Sequence, residues 1–437
     1  MRCSPRVPRS RRRARDSMLL RTRWFLVLGV GIGALAATLW VLIQPKDKVT
    51  PEIPVVGTEL FETVFSHVKS FSVDSLSDQE LYNRAAVGVI DELNDPYAVL
   101  LLPGREPPPP EDAPAPQGLY LDRRDGRVVV VATVQGSPAE IAGVRSGDRL
   151  VGIDTIPVDE TRLDQAARLL DGPAGTSVAL RVRRAGARSI LLFDVLRGRL
   201  PSVGAVETSA LGGGVGRVTV RRFPSGIEDS VRSGVESLRD SGVRSLVLDL
   251  RGAVGGDITQ GVALADLFLG PGTTIVESRS RQAGSSRSFR DSTTSPFDSL
   301  PMTVLVDEGT AGAAEVVAGA LQDHDRVAVL GAVTFGRGVT QSSFPLGSGA
   351  SLRLTTALWI TPRGRQIQTP PRPADGDSVP RPRLTSDGGR ELLGGGGIVP
   401  DRLIARSGSG DTVLAQARSI LVRAGSTRAV LALVTPR

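Results

Sequence analysis

The apolar residues change rhythm from one region of the chain to the next. Residues 24–43, WFLVLGVGIGALAATLWVLI, run for 20 positions without a charge. That length crosses the apolar layer of a bilayer as a helix. Residues 57–103 switch to helical spacing, with Leu60, Val64 and Val68 at i, i+4 and i+8. Two helices are predicted, over 57–71 and 77–93. Ser77 and Glu80 offer a capping box for the second, which ends at Asn94-Asp95-Pro96. Prolines crowd 103–116 and predict an extended linker at 106–116.

From Gln117 the texture is short strands. RVVVVATV (127–134) reads as a strand. GSPAEIAGVRSGDRLVGID (136–154) reads as turn, short helix, Gly-Asp turn and strand. TRLDQAARLL (161–170) is a helix and SVALRVRR (177–184) another strand. Residues 198–404 alternate strands and helices. GRVTVRRF (216–223), SLVLDL (245–250), MTVLVDE (302–308) and VAVLG (327–331) are strands. IEDSVRSGVESLRDSG, opened by Ser225 and closed at Gly242, is a helix, as is AAEVVAGALQ (313–322). Such alternation predicts an α/β sheet that binds ligands at the strand C-terminal ends. RGAVGG (251–256) and DEGTAGAAE (307–315) both lie at such ends.

Charge changes the picture at the N-terminus. Residues 1–23 hold nine Arg against Asp16, a net +8 out of the chain's +7, so the remainder is at −1. A basic tail on a neutral body argues against a nucleic-acid surface on the folded part. Arginine before the apolar run keeps the N-terminus in the cytoplasm and places residues 44–437 outside it. Trp24 and Trp40 mark the two interfaces. Ala34-Leu35-Ala36 offers a signal-peptide cleavage site, but the run is long for one and favours an uncleaved single-pass anchor in the inner membrane. Cys3 is the sole cysteine, and His67 and His324 are the only histidines. One cysteine excludes an intrachain disulfide and a thiolate metal site, two histidines give a His-based zinc site or a Ser-His-Asp triad poor support, and no metal or cofactor is assigned.

Residues 117–197 resemble a PDZ domain, a small α+β partly open barrel. The matching residues are Gly118-Leu119-Tyr120-Leu121, Gly136-Ser137-Pro138-Ala139, Ala142-Gly143 and Gly147-Asp148. The resemblance implies that Gly118, Leu119, Tyr120 and Leu121 hold the carboxylate of a peptide tail on backbone N–H groups. Tyr120 is larger than the residue often found there and is expected to crowd the groove.

The wider order of motifs is similar to the C-terminal processing, or tail-specific, serine peptidases. LDLRGAVGG (248–256) resembles their LDLRxNxGG, and VLVDEGTAGAAEVVAGALQD (304–323) their strand and G-[ST]-A-S-A helix. GAVTFGRGVTQ (331–341) resembles their GxxTxGKGxxQ. LRLTTALWITPRGRQIQ (352–368) and GGGGIVPD (394–401) complete the match. The implied organisation is a multi-domain α/β protein. It has a basic tail (1–23), a transmembrane anchor (24–43), a helical N-terminal region (44–105), the linker (106–116) and the PDZ domain (117–197). A peptidase-like core (198–404) with a surface insertion at 366–390 and a C-terminal helical tail (405–437) follow.

The resemblance also implies a Ser/Lys dyad, and this chain departs from it. The serine position is Gly312 and the general-base position is Arg337. Glycine carries no nucleophile, and a guanidinium does not give up its proton. Ala253 stands at the asparagine of the glycine loop. No serine occurs between Leu300 and Gln341, and the three lysines, Lys46, Lys48 and Lys69, all precede the PDZ domain. Thr310 is two residues early for a nucleophile. Gly255, Gly256 and Ala313 are the expected oxyanion donors, and Gln341 matches the family glutamine. Arg337 is expected either to hold an anion or to pair with Asp307, Glu308 or Glu315. The reading is an extracytoplasmic pseudopeptidase that binds protein C-terminal tails and works beside an active peptidase relative. An active serine-type endopeptidase with a non-standard catalytic set and an envelope scaffold are the alternatives.

Overall fold

The computed structural model describes residues 55–93, 95–104, 113–158, 163–291, 295–371, 381–405 and 410–434. The expected anchor at 24–43, its basic tail and residues 106–112 of the linker lie outside them. Among the described residues no helix is long and apolar enough to cross a membrane. The chain divides into two compact units, residues 1–81 and 82–437.

The first unit contains α1 (Val55–Phe71) and the start of α2 (Asp78–Asp91). The capping box forms: Ser77 N–H donates to Glu80 at 2.9 Å, and Glu80 N–H to Ser77 Oγ at 3.3 Å. Lys69 pairs with Asp78 at 2.7 Å. The Leu60, Val64 and Val68 stripe of α1 is exposed.

In the second unit, β1 (Val99–Leu101) precedes a PDZ domain. Its elements are β2 (Leu119–Arg124), β3 (Arg127–Thr133), α3 (Pro138–Ala142), β4 (Arg149–Ile153), β5 (Ile156–Pro157), α4 (Leu163–Leu170), β6 (Ser177–Arg183) and β7 (Leu191–Leu196). The sheet runs β2-β3-β4-β6-β7, with β2 at one edge and β5 on β4. In β6, Val178, Leu180 and Val182 are buried while Ser177, Ala179 and Arg183 are exposed, the alternation of a half-buried strand. The local sequence explains α3. Ser137 Oγ accepts the Glu140 N–H, Pro138 opens the helix, and Gly143 closes it at φ 94°.

The core contributes β8 (Val206–Gly212), β9 (Val215–Val220), α5 (Ile227–Asp240), β10 (Ser245–Asp249), α6 (Ile258–Asp266), β11 (Thr274–Ser280), β12 (Arg287–Arg290), β13 (Met302–Val306), α7 (Ala313–Asp323), β14 (Ala328–Gly331), β15 (Val339–Gly347), β16 (Ala350–Ile360), β17 (Arg383–Thr385), β18 (Glu391–Leu393), β19 (Arg402–Leu403), α8 (Thr412–Arg423) and α9 (Thr427–Val434). The main sheet runs β19-β14-β13-β10-β9-β8, parallel from β19 to β9 with antiparallel β8 at the edge. Both faces are covered, which is why residues 246–248 of β10 are apolar without alternation. Leu246 and Leu248 face the cluster shared with α5, α6 and α7; Val247 faces α8 and α9. A second sheet, β1-β16-β11-β12 with β15 on β16, flanks it.

Two local expectations change. The N-cap of α5 is Gly226 at φ 76°, with no side-chain cap, rather than Ser225; the left-handed turn demands a glycine there. The stretch 366–390 is anchored rather than peripheral at both ends. Ile367 is fully buried in the core, and Arg390 bonds Asp325 and Asp401. Residues 372–380 lie outside the described residues.

Candidate active site

The strand-to-helix turn after β13 places Gly312 as the N-cap of α7, at φ 73° and ψ −125°. That is left-handed backbone, which glycine adopts without strain. The turn is tied to the neighbouring glycine loop through Asp307. Its Oδ1 accepts the N–H groups of Gly252 at 2.8 Å and Gly309 at 3.0 Å. Burial pushes the Asp307 carboxyl up despite these donors. Thr310 is fully buried. Its hydroxyl donates to the Leu250 carbonyl at 2.9 Å and accepts the Asp307 N–H at 3.0 Å. The hydroxyl nearest in sequence to Gly312 is thereby committed to holding the loops.

Gly255, Gly256 and Ala313 do converge. Gly255 and Gly256 both sit at positive φ, 87° and 76°. A Cβ on Gly256 would meet the Phe223 Cβ at 2.4 Å, so only glycine fits. The donor geometry differs from an open oxyanion site, however. The Ala313 N–H faces the Gly255 carbonyl at 3.4 Å, a long and weak bond. A Cβ on Gly312 would lie 3.2 Å from the same oxygen. The Gly255 carbonyl therefore faces the Ala313 N–H and would have to shift by a few tenths of an ångström to admit a side chain at 312.

Glu315, one turn into α7, is fully buried and organises the other side. It accepts the Gly312 N–H at 3.1 Å, the Gly336 and Arg337 N–H groups at 2.7 Å each, and the Thr334 hydroxyl. One carboxyl thus joins the serine position to the loop that carries the base position. Burial outweighs the four donors and pushes this carboxyl up to about 7.

Arg337 turns towards the PDZ domain. Its Nε lies 3.6 Å from Oδ2 of Asp122, a fully buried residue of β2. Its guanidinium sits 5.4 Å from the Tyr97 ring centroid. The Tyr97 hydroxyl donates to the same Asp122 oxygen at 3.2 Å. Asp307, Glu308 and Glu315 are the nearby acids in sequence, but Asp122 lies across a domain boundary. Thr334 occupies the threonine of the GxxTxGKGxxQ match, but no sequence signal singled out Asp122. Gln341 sits on β15 opposite Thr355, where the ladder to β16 shifts register.

Of the segment expected to hold tails, Leu119, Tyr120 and Leu121 lie on β2, the outer strand of the PDZ sheet. Leu119 and Leu121 join the domain's own core with Ala166 and Leu170 of α4. Tyr120 points the other way, into a cluster with Val131, Ala132, Val254, Ala311 and Phe335. It therefore packs on the α/β core rather than crowding the face that meets α4. Gly118 has φ 84°, and a Cβ there would fall 2.2 Å from the Ser137 Cβ. His324, by contrast, caps the C-terminus of α7 and bonds Asp387 at 2.6 Å and the Thr274 carbonyl at 2.7 Å. Among the described residues no group of His, Cys, Asp and Glu is placed to hold a metal.

Comparison with known proteins agrees with this architecture. Residues 214–374 match the model of peptidase family S41, and residues 129–184 a PDZ domain. The carboxy-terminal-processing protease of Bartonella bacilliformis is 30% identical over 358 residues, covering 80% of this chain and 81% of that protein. The chain belongs to peptidase family S41. Another S41 relative, carboxy-terminal processing protease CtpA of Bacillus subtilis, is 28% identical over 355 residues, 79% of this chain and 74% of its own. Among solved structures, a photosystem II D1 C-terminal processing protease superposes with a TM-score of 0.62 at 24% identity, over 84% of this chain and 92% of that one. That likeness supports the shared S41 fold.

Proposed function

We propose that this S41 member binds the C-terminal tails of proteins through its PDZ domain and does not hydrolyse peptide bonds. It is anchored in the inner membrane by residues 24–43, with the bulk of the chain outside the cytoplasm. The observation that carries the reading is the pair of residues at the dyad positions. Gly312 has no side chain, and Arg337 is a guanidinium beside the Asp122 carboxylate. Neither a nucleophile nor a neutral base exists there. Thr310 does not substitute, because its hydroxyl bonds the Leu250 carbonyl. Losing nucleophile or base alone costs on the order of 10⁶ in serine peptidases. An active family relative is the natural partner for a binding protein of this kind.

Two measurements on the full-length protein test this. Peptides with a free carboxylate are expected to bind, and their C-terminal amides are expected to bind at least tenfold more weakly. An unfolded protein substrate is expected to remain intact. Cleavage above background would overturn the non-hydrolytic reading; equal affinity for acid and amide would overturn tail recognition.

A further inference from the structure

We propose that Arg337 has taken up a second role at the former base position: it is the tie that seats the outer PDZ strand on the α/β core. Arg337 is held from both sides. Its main-chain N–H is bonded to Glu315 of α7 at 2.7 Å. Its side chain reaches Asp122 of β2 at 3.6 Å and stacks near Tyr97. Asp122 is fully buried and the Arg337 side chain is 15% exposed, so the pair is screened little by solvent.

Arginine suits this joint better than lysine. A guanidinium is planar and permanently charged, so it can face a ring and a carboxylate together. A lysine beside a buried carboxylate is held protonated. A tie to Asp122 and service as a neutral base are therefore mutually exclusive in this geometry.

The contacts around Arg337 show a built joint. The Arg124 guanidinium, also on β2, lies 4.3 Å from the Phe335 ring centroid. Tyr120 and Val131 pack on Val254, Ala311 and Phe335. Gly309, in the turn before Gly312, admits the PDZ domain closely: a Cβ there would lie 2.7 Å from Ser146 Oγ and 3.1 Å from the Val131 carbonyl. Tyr120, Asp122 and Arg124 alternate along β2, and each meets the former site.

Hydrogen–deuterium exchange of the full-length protein tests the tie. Arg337→Met and Asp122→Asn are each expected to speed exchange at residues 119–124 and 334–338 about tenfold, and the double variant no further than Asp122→Asn alone, which also disturbs the Tyr97 bond, because both break the Arg337–Asp122 pair. Strands β10 and β13 should keep their protection. Unchanged exchange at 119–124, additive effects, or loss of protection throughout the chain would overturn the proposal. If Arg337→Met fails to fold, the isosteric Asp122→Asn carries the same comparison. The test needs no peptide, so failure of tails to bind would leave the tie standing, and unchanged exchange would leave tail binding standing.

Discussion

Thr334 donates its hydroxyl to the carboxyl of Glu315, joining the base-position loop to the helix that starts at Gly312. Replacing Glu315 by alanine leaves this donor and three backbone N–H groups unpaired in a dry interior. The expected loss is about 3 kcal/mol or more, read from urea unfolding. A loss under ~1 kcal/mol would mean that water or a neighbour takes over the four donors.

Glu315 also predicts a pH dependence. Its carboxyl is raised from the ordinary 4.5 to about 7 in the folded chain. Between those values the native state keeps a proton that the unfolded chain has released. The stability due to this group is full below about 4.5 and is lost as pH rises to about 7, at up to ~1.4 kcal/mol per pH unit. Glu315→Gln removes the effect. Unfolding midpoints at pH 5, 6 and 7 should therefore fall more steeply for the natural chain than for the variant; parallel curves would refute the assignment.

Restoring a serine tests the turn. Gly312→Ser puts a Cβ 3.2 Å from the Gly255 carbonyl and a side chain on φ 73°. It should cost about 1–2 kcal/mol by thermal unfolding and, alone, give no cleavage. A stability-neutral serine would show that the glycine loop gives way easily.

A working dyad needs a neutral amine as well. Gly312→Ser with Arg337→Lys is expected to cleave an unfolded substrate weakly, because Asp122 holds the lysine protonated. Adding Asp122→Asn should raise the rate at neutral pH by at least tenfold. Equal rates with and without Asp122 would show that this carboxylate does not govern the lysine.

In the PDZ domain, Gly118→Ala drives a Cβ to 2.2 Å from Ser137 and strains φ 84°. The expected cost is about 2–4 kcal/mol, with loss of tail-peptide binding in fluorescence anisotropy. Unchanged affinity would place the carboxylate site elsewhere.

Features that depend on near neighbours were legible in the sequence. The Ser77–Glu80 box, the alternation of β6 and the apolar run of β10 each follow from a local period, and the structure contains all three. Gly312 at the helix start could be located because strand, turn and helix are contiguous. Arg337 shows where such reading stops. Its nearby candidates were Asp307, Glu308 and Glu315, but Asp122 is 215 positions away and reaches it through domain packing that no period encodes. Tyr120 failed similarly: its size suggested a crowded groove, but the face it occupies depends on Phe335 and Val254. The cap of α5 was missed by one residue because a left-handed glycine replaced the expected side-chain cap.

Gly312 also bears on how readily position 312 could change. Glycine relaxes a turn that any other residue would hold in strain. On the non-hydrolytic reading proposed above, a serine at 312 would lower stability and supply no chemistry until position 337 changed too. The turn would then act as a ratchet: selection for a stable fold alone would hold the glycine in place.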